Sequence, residues 1–274
     1  MSRPRACVIG WPVGHSRSPL IHSHWLAAFG LSGSYERHPV PPDAIDAFVA
    51  ELKAGSWVGC NVTIPHKGAM PSQCDRLSET AKRLGSVNTV WREGELLCGD
   101  TTDGIGFLGA LDQELPGWDA AHGNALIIGA GGAAPPIVDA LRSRDFKKIT
   151  LASRTASRAE ALAAALGCEA APLDRLELGA VDLLVNASPA GMAGQPPLTI
   201  DLSALPSHAI VDDIVYAPAV TPLLAAARAR GLRHIGGLGM LLHQAVPGFE
   251  RFFGKRPAVT PELRALVEAD VAAG

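Results

Sequence analysis

The stretch that most constrains this chain is Gly129-Ala130-Gly131-Gly132-Ala133-Ala134, set directly behind the apolar pair Ile127-Ile128 and ahead of a helix-forming segment. A G-x-G-x-x-A pattern between a strand and a helix has a physical reason at each fixed position. Gly129 permits a tight turn, Gly131 lets a phosphate approach the backbone, and the small Ala134 allows close helix–strand packing. The free N–H groups and positive dipole at a helix start favour an anion. Pro135 and Pro136 are compatible with that start, because first-turn N–H groups have no partner inside the helix. The expectation is a bound dinucleotide, with Gly129, Ala130, Gly131, Gly132 and Ala133 forming the turn around its phosphates.

The surrounding pattern extends this reading. Strand-like runs at 125–128, 148–152, 181–186, 209–215 and 233–235 alternate with helical runs after the glycines, at 157–166 and at 222–230. Such alternation implies right-handed crossovers and a parallel sheet with helices on both faces. The first part of the chain has strand candidates at 6–9, 35–40, 57–64, 87–91 and 95–98, the last two joined by a turn at Gly94. Helical spacing covers 19–29, and Asp43 is the expected cap of a helix through Leu52. The stretches 238–253 and 261–273 are also expected to be helical. With 274 residues, two domains are expected. Their boundary is expected in the helix Gly106 to Leu115 or in the turn Pro116-Gly117.

Cofactor choice in such a sheet is set at the end of the second strand, where an acidic residue would hold a ribose 2′-hydroxyl. This chain has Ser153-Arg154-Thr155 there, with Arg158 four residues after Arg154. Two guanidinium groups on one strand-to-helix turn suit a 2′-phosphate, so NADP is expected rather than NAD.

Composition excludes several other classes. The chain is 47% hydrophobic and 19% charged, which is enough to bury a core in each domain. Its formal charge is −3 without a basic stripe, so nucleic acid is not an expected partner. The five cysteines are odd in number and show no C-x-x-C spacing, which argues against a disulfide framework and a zinc site. There is no signal-peptide core and no apolar run of membrane length, so a cytoplasmic protein without a membrane partner is expected. His22 and His24 lie two apart on a helix and do not share a face, and Asp212-Asp213 has no evident third ligand, so no metal is expected. His66 adjoins Lys67 in sequence, which is no evidence of a dyad, and His243 is read as packing or cleft lining. Trp11, Trp25, Trp57 and Trp91 are read as core or turn residues.

Four segments of the first part place polar residues in apolar surroundings: Gly10 to Pro19, Asn61 to Lys67, Ser86 to Thr89 and Gly99 to Asp103. Their hydroxyls, amides, ammonium and carboxylate suit a ligand with several hydroxyls and a carboxylate. In these residues the chain resembles the shikimate dehydrogenase family. The pattern G-x-P-x-x-H-S-x-S-P, the segment N-V-T-x-P-x-K and the run Thr102 to Phe107 carry the likeness. Asn186 to Met192, Asp213 to Pro218 and Gly237 to Ala245 continue it, so it covers nearly the whole chain. The resemblance implies an α/β fold in three parts. Residues 1–105 would form a substrate-binding and catalytic domain, 106–237 a Rossmann-like, doubly wound NADP domain, and 238–274 helices returning to the substrate domain.

The activity it implies is NADP-linked interconversion of 3-dehydroshikimate and shikimate in chorismate and aromatic amino acid biosynthesis, in a cleft between the domains. By similarity, Ser16 and Ser18 would hold the substrate carboxylate with Tyr216 near it. Thr63, Lys67, Asn88, Asp103 and Gln244 would bind ring hydroxyls, and Lys67 with Asp103 would carry the chemistry. Ala187, Ser188, Ile214 and Gly237 would join the cofactor contacts. The chain departs from the family pattern at Thr101 and Ser153, where asparagine is usual. Competing readings are a quinate or aminoshikimate dehydrogenase on the same scaffold and a non-catalytic sensor of the same ligands. A folate-type two-domain dehydrogenase fits less well, because Ser16, Ser18 and Thr102-Asp103 have no place in it. A homodimer is left open. Gly236-Gly237 is read either as part of a hinge or as a pair permitting close packing.

Overall fold

The computed structural model describes residues 3–120 and 123–273. Contacts divide it into two units. One runs to Asp103 and takes in Leu242–Val267; the other comprises Gly104–Leu241 and residues from Glu268 on.

In the first unit the elements are β1 (Arg5–Gly10), α1 (Ser18–Ala28), β2 (Ser34–Pro39), α2 (Ile45–Ala54), β3 (Gly59–Val62), β4 (Arg76–Leu77), α3 (Glu79–Leu84), β5 (Thr89–Glu93) and β6 (Leu96–Asp100). Its sheet has the order β2-β1-β3-β5-β6-β4. β1 lies parallel to β2 and β3, whereas β5 runs antiparallel to β3 and β6. The β5–β6 hairpin turns at Gly94, whose φ of 66° favours glycine. Alternation along β1 separates two cores. Cys7 and Ile9 pack with Phe48 and Leu52 of α2, while Ala6 and Val8 face Tyr35 and Phe252.

One local expectation needs correction, and two elements carried no expectation. Asp43 does not cap α2. It lies inside a short 3-10 turn, Pro42–Ala44, and the cap position is Ala44, without a side-chain bond. Pro42 fixes a helical φ one residue earlier, so the turn begins before Asp43. β4, two residues long, offers no periodicity to read. α3 was legible in principle: Ser78 accepts from the Ala81 N–H at 3.0 Å, and Gly85 ends the helix at φ 59°.

The second unit follows with α4 (Asp103–Glu114), β7 (Asn124–Ile128), α5 (Ala134–Ser143), β8 (Lys148–Ser153), α6 (Ala156–Leu166), β9 (Glu169–Pro172), β10 (Leu183–Asn186), β11 (Ile210–Asp213), α7 (Pro222–Ala229) and β12 (Arg233–Gly236); α8 (Leu238–Phe253) and α9 (Pro261–Ala273) close the chain. All six strands are parallel, in the order β12-β11-β10-β7-β8-β9. Counted from β7 this is the dinucleotide-fold order, with its switch point between β7 and β10. Ala125 and Ile127 pack with Phe107, Ile137 and Leu141. Leu126 and Ile128 pack with Leu223, Leu224 and Ala227 on the other face. Both faces are therefore covered, as a parallel sheet requires. No helix among the described residues is long and apolar enough to cross a membrane.

The C-terminal residues of α8 return over the first sheet. Phe252 lies so close to β3 that a Cβ on Gly59 would stand 2.5 Å from its ring. Beside it, His22 of α1 is fully buried, stacked on Tyr35 at 3.8 Å and flanked by Trp25 and Phe249. Neither of its ring nitrogens has a hydrogen-bond partner among the described residues. Burial holds this imidazole down at about 3, against an ordinary 6.5. Between those values the unfolded chain binds a proton that the folded chain refuses. This share of stability is complete above the unfolded value and is lost as pH falls, at about 1.4 kcal/mol per pH unit. His22→Phe keeps the ring and removes the proton site. Urea denaturation between about pH 7 and pH 5 should then show a stability slope flatter by up to that amount; identical slopes would mean that His22 titrates normally in the folded state.

Candidate active site and dinucleotide pocket

At the carboxyl end of β7, Gly129 takes a φ of 128° and donates its N–H to the Ala152 carbonyl at 2.7 Å. A Cβ there would stand 2.7 Å from the Ala187 carbonyl oxygen, so only glycine lets this turn sit against the end of β10. By contrast, a Cβ on Gly131 or Gly132 would meet nothing within 4 Å. That side of the turn is open to a ligand. Ala134 is fully buried at the start of α5, as close helix–strand packing requires.

A pocket of about 480 Å³ opens from this turn. Gly129, Ala130 and Gly131 form one side, with Ser153, Arg154, Thr155 and Arg158 along another and Ala187 and Ser188 at the end of β10. Arg154 and Arg158 are exposed, and neither forms an ion pair among the described residues. Ser153 donates to the Thr155 carbonyl at 2.8 Å and thereby shapes the turn that presents them. The pocket also has an apolar wall, Leu173 and Pro196 to Leu198, which no sequence pattern had marked.

Gly132, Ala133, Ile214 and Gly237 are not on this lining. Gly237 instead presses on the Ile214 carbonyl so closely that a Cβ there would collide with it. Close packing is reason enough for glycine at that position. Asp213 accepts from Thr221 at 2.6 Å, Asn186 at 2.9 Å and the Val215 N–H at 3.1 Å. Burial pushes its carboxyl up and these donors pull it back. It organises the ends of β10 and β11. The described residues contain no group of three or more potential metal ligands.

The polar cluster of the first unit centres on Asp103. Lys67 Nζ donates to its Oδ2 at 2.6 Å, and Asn88 Nδ2 donates to its Oδ1 at 2.8 Å. Lys67 stands on a short 3-10 turn, His66–Gly68, after β3. That turn is anchored by the His66 ring on the Val40 carbonyl at 2.7 Å and by the Val87 N–H on the Lys67 carbonyl at 3.0 Å. His66 is thus structural. The Lys67 side chain keeps a quarter of its surface exposed, whereas that of Asp103 keeps a tenth. The ammonium is accessible while its carboxylate partner is held from behind.

Ser16 Oγ donates to Ser18 Oγ at 3.2 Å, and Arg37 clamps the Ser16 carbonyl with two donors at 2.7 and 2.9 Å. Thr63 lies beside Gly10, where a Cβ would stand 2.5 Å from its methyl group. The Gln244 carbonyl accepts from Thr102 Oγ1 at 2.8 Å, which ties α8 to the start of α4. Thr101 is buried with no hydroxyl partner among the described residues, so it is Asn88 and Lys67 that orient Asp103. Tyr216 follows β11 in the second unit.

Family models match this chain at residues 8–90 (shikimate dehydrogenase substrate binding domain), 112–193 (shikimate / quinate 5-dehydrogenase) and 237–266 (shikimate 5'-dehydrogenase C-terminal domain). A shikimate dehydrogenase (NADP(+)) of Methylocella silvestris is 53% identical over 273 residues, covering 98% of this chain and 97% of the relative. The chain belongs to the shikimate dehydrogenase family. The family member from Nitrobacter hamburgensis, also a shikimate dehydrogenase (NADP(+)), is 52% identical, covering 97% of this chain and 94% of the relative. Among solved members, shikimate 5-dehydrogenase from Thermus thermophilus in complex with NADP(H) and shikimate is 34% identical with a TM-score of 0.84, covering 98% of this chain and 99% of that one. Quinate dehydrogenase from Corynebacterium glutamicum in complex with NAD is 32% identical with a TM-score of 0.88, covering 97% and 99%.

Since one of these solved members is in complex with NAD and the other with NADP(H), the two arginines at the pocket provide the test of cofactor choice. Replacing Arg154 and Arg158 together with alanine should weaken NADP binding by about 30- to 100-fold and NAD binding by less than about threefold, read by calorimetry. Equal losses for both would remove the arginines from 2′-phosphate recognition.

Proposed function

We propose that this chain catalyses the reversible, NADP-dependent reduction of 3-dehydroshikimate to shikimate, the family's step in chorismate biosynthesis, with Lys67 and Asp103 as its chemical pair. The observation that carries the assignment of roles is the 2.6 Å contact between an accessible ammonium and a carboxylate fixed from behind by Asn88. NADPH, when bound, supplies the hydride. As hydride reaches the ketone carbon, negative charge grows on its oxygen. Lys67 stabilises that charge and donates a proton to the oxygen from Nζ; in the oxidative direction the neutral amine takes the proton back. Asp103 holds the ammonium in place and accepts a hydrogen bond from a ring hydroxyl.

Ser16 and Ser18 receive the substrate carboxylate, on a loop whose backbone Arg37 keeps in position. Thr63, Asn88, Gln244 and Tyr216 complete the substrate contacts. The cofactor is held by the turn Gly129 to Ala133, by Ser153, Arg154, Thr155 and Arg158, and by Ala187, Ser188, Ile214 and Gly237. Three parts go with these roles: a substrate-binding domain of residues 1–105, a dinucleotide-binding domain of 106–237, and C-terminal helices of 238–274, of which Leu242–Val267 clusters with the first.

Initial rates with shikimate and quinate, each against NADP and NAD, test the assignment. A large kcat/KM advantage for shikimate with NADP is expected. A preference for quinate or NAD would keep the chemical pair and overturn the biosynthetic role. Lys67→Ala should lower kcat by about 100- to 10,000-fold, with a much smaller rise in KM. A change in KM alone would reduce Lys67 to a binding group.

A further inference from the structure

Behind Asp103 lies a chain of polar side chains that the proposed chemistry does not use directly. Tyr35 OH contacts Asn61 Oδ1 at 2.7 Å, and Asn61 Nδ2 donates to Thr89 Oγ1 at 3.0 Å. Thr89 Oγ1 donates to Asn88 Oδ1 at 3.0 Å, and Asn88 Nδ2 donates to Asp103 Oδ1 at 2.8 Å. All five residues are buried, the most exposed, Asp103, at 7%.

The direction of every bond is dictated by three backbone groups. Asn61 Nδ2 also faces the Asn88 carbonyl at 3.3 Å, which only accepts, so the amide cannot be reversed. Its oxygen therefore faces Tyr35, and the phenol must donate. Asn88 Oδ1 receives the Thr102 backbone N–H at 2.8 Å, which only donates. Its NH2 therefore faces Asp103. The single proton of Thr102 has the Gln244 carbonyl to go to at 2.8 Å, which leaves Thr89 as the hydroxyl donor to Asn88. Burial together with Cys7 and Cys60 pushes the Tyr35 phenol well above its usual range, so its donor proton is kept; Ser18, beside it, opposes that shift. The ring itself cannot turn away, being stacked on His22 at 3.8 Å.

We propose that Tyr35, Asn61 and Thr89 are positioning residues for the reaction: a one-way hydrogen-bond chain that locks the Asn88 amide and, through it, sets the Asp103 carboxylate against Lys67. This rests on the assignment of Lys67 and Asp103 made above. Every donor in the chain points toward the carboxylate, so successive dipoles add, and the charge on Asp103 is stabilised without any substrate group being spent on it. A hydrogen-bonded network of this kind also limits the carboxylate to one rotamer, which a proton-transfer geometry requires.

A double-mutant cycle separates positioning from mere packing. Thr89→Val keeps the shape and removes the hydroxyl; Thr89→Ser keeps the hydroxyl. Thr89→Val should lower kcat for shikimate oxidation by about 5- to 30-fold with the KM for NADP changed by less than about twofold, and Thr89→Ser should stay within about threefold of the parent. In the Asp103→Asn background, Thr89→Val should cost less than about twofold, because the carboxylate it serves is gone. An equal loss in both backgrounds, no loss at all, or failure of serine to restore the rate overturns the proposal. Circular dichroism checks folding, and Tyr35→Phe, which preserves the stack on His22, repeats the comparison if Thr89→Val does not fold. Asp103→Asn alone reports on the underlying assignment: an unchanged kcat there would overturn the chemical pair and with it the chain that serves it.

Discussion

The first unit is organised around the side-chain amide of Asn88. Two donors converge on its oxygen: the Thr102 N–H at 2.8 Å and Thr89 Oγ1 at 3.0 Å. Its nitrogen donates to Asp103. At 2% exposure no water competes for these groups, and a reversed amide would set donor against donor. Because Asn88 immediately precedes β5 and Asp103 opens α4, this one side chain ties the sheet to the helix that carries the carboxylate. Lys67 is then matched to a target that has already been fixed. The low-dielectric surroundings that make the pair strong are the same that would make a misplaced carboxylate costly.

In the second unit the controlling constraint is backbone against backbone. Gly129 lies against the carbonyl of Ala187 at the point where strand order reverses, and Asn186, one residue before, is pinned by Asp213 and by the Ser188 N–H and hydroxyl. This end of the pocket is thus built from backbone and from side chains already held by hydrogen bonds. Its rim carries the exposed side chains of Arg154 and Arg158. On the proposed assignment, turn and guanidinium groups have separate tasks: the turn would fix where phosphates sit, and the rim would distinguish which nucleotide is attached to them.

How much of this could be read in the sequence depended on how local each signal was. The strand–glycine–helix junction at Gly129 is a property of about ten consecutive residues, and its alternating strands and helices were legible. β4 and β9 carry no readable period, and Asp43 resembles a cap by residue type alone, whereas the φ that Pro42 fixes starts the turn one residue earlier. Lys67 and Asp103 are 36 residues apart, and nothing in their spacing implies a contact; only the family resemblance brought them together. Tyr35 carried no such mark, and Asn61, although it opens the N-V-T-x-P-x-K segment, had no partner assigned. Their pairing depends on β1 lying between β2 and β3, and the order of the first sheet was not deducible from a mixed, irregular pattern.

The shared scaffold shifts the question of specificity onto these side chains. A quinate dehydrogenase with NAD matches this fold at a TM-score of 0.88, and a shikimate 5-dehydrogenase with NADP(H) matches it at 0.84, so overall shape does not separate the two activities. Shikimate and quinate differ at few ring positions, and a pocket distinguishes such ligands by leaving a buried donor or acceptor unpaired when the wrong one enters. That penalty is large only if the protein group cannot reorient. A carboxylate free to rotate would adapt to either ligand; one locked by Asn88, and by Thr89 behind it, would not. On the proposed role of Asp103, the rigidity of the chain behind it would bear on substrate choice as much as on proton transfer, and the side chains that enforce it need touch neither substrate nor cofactor.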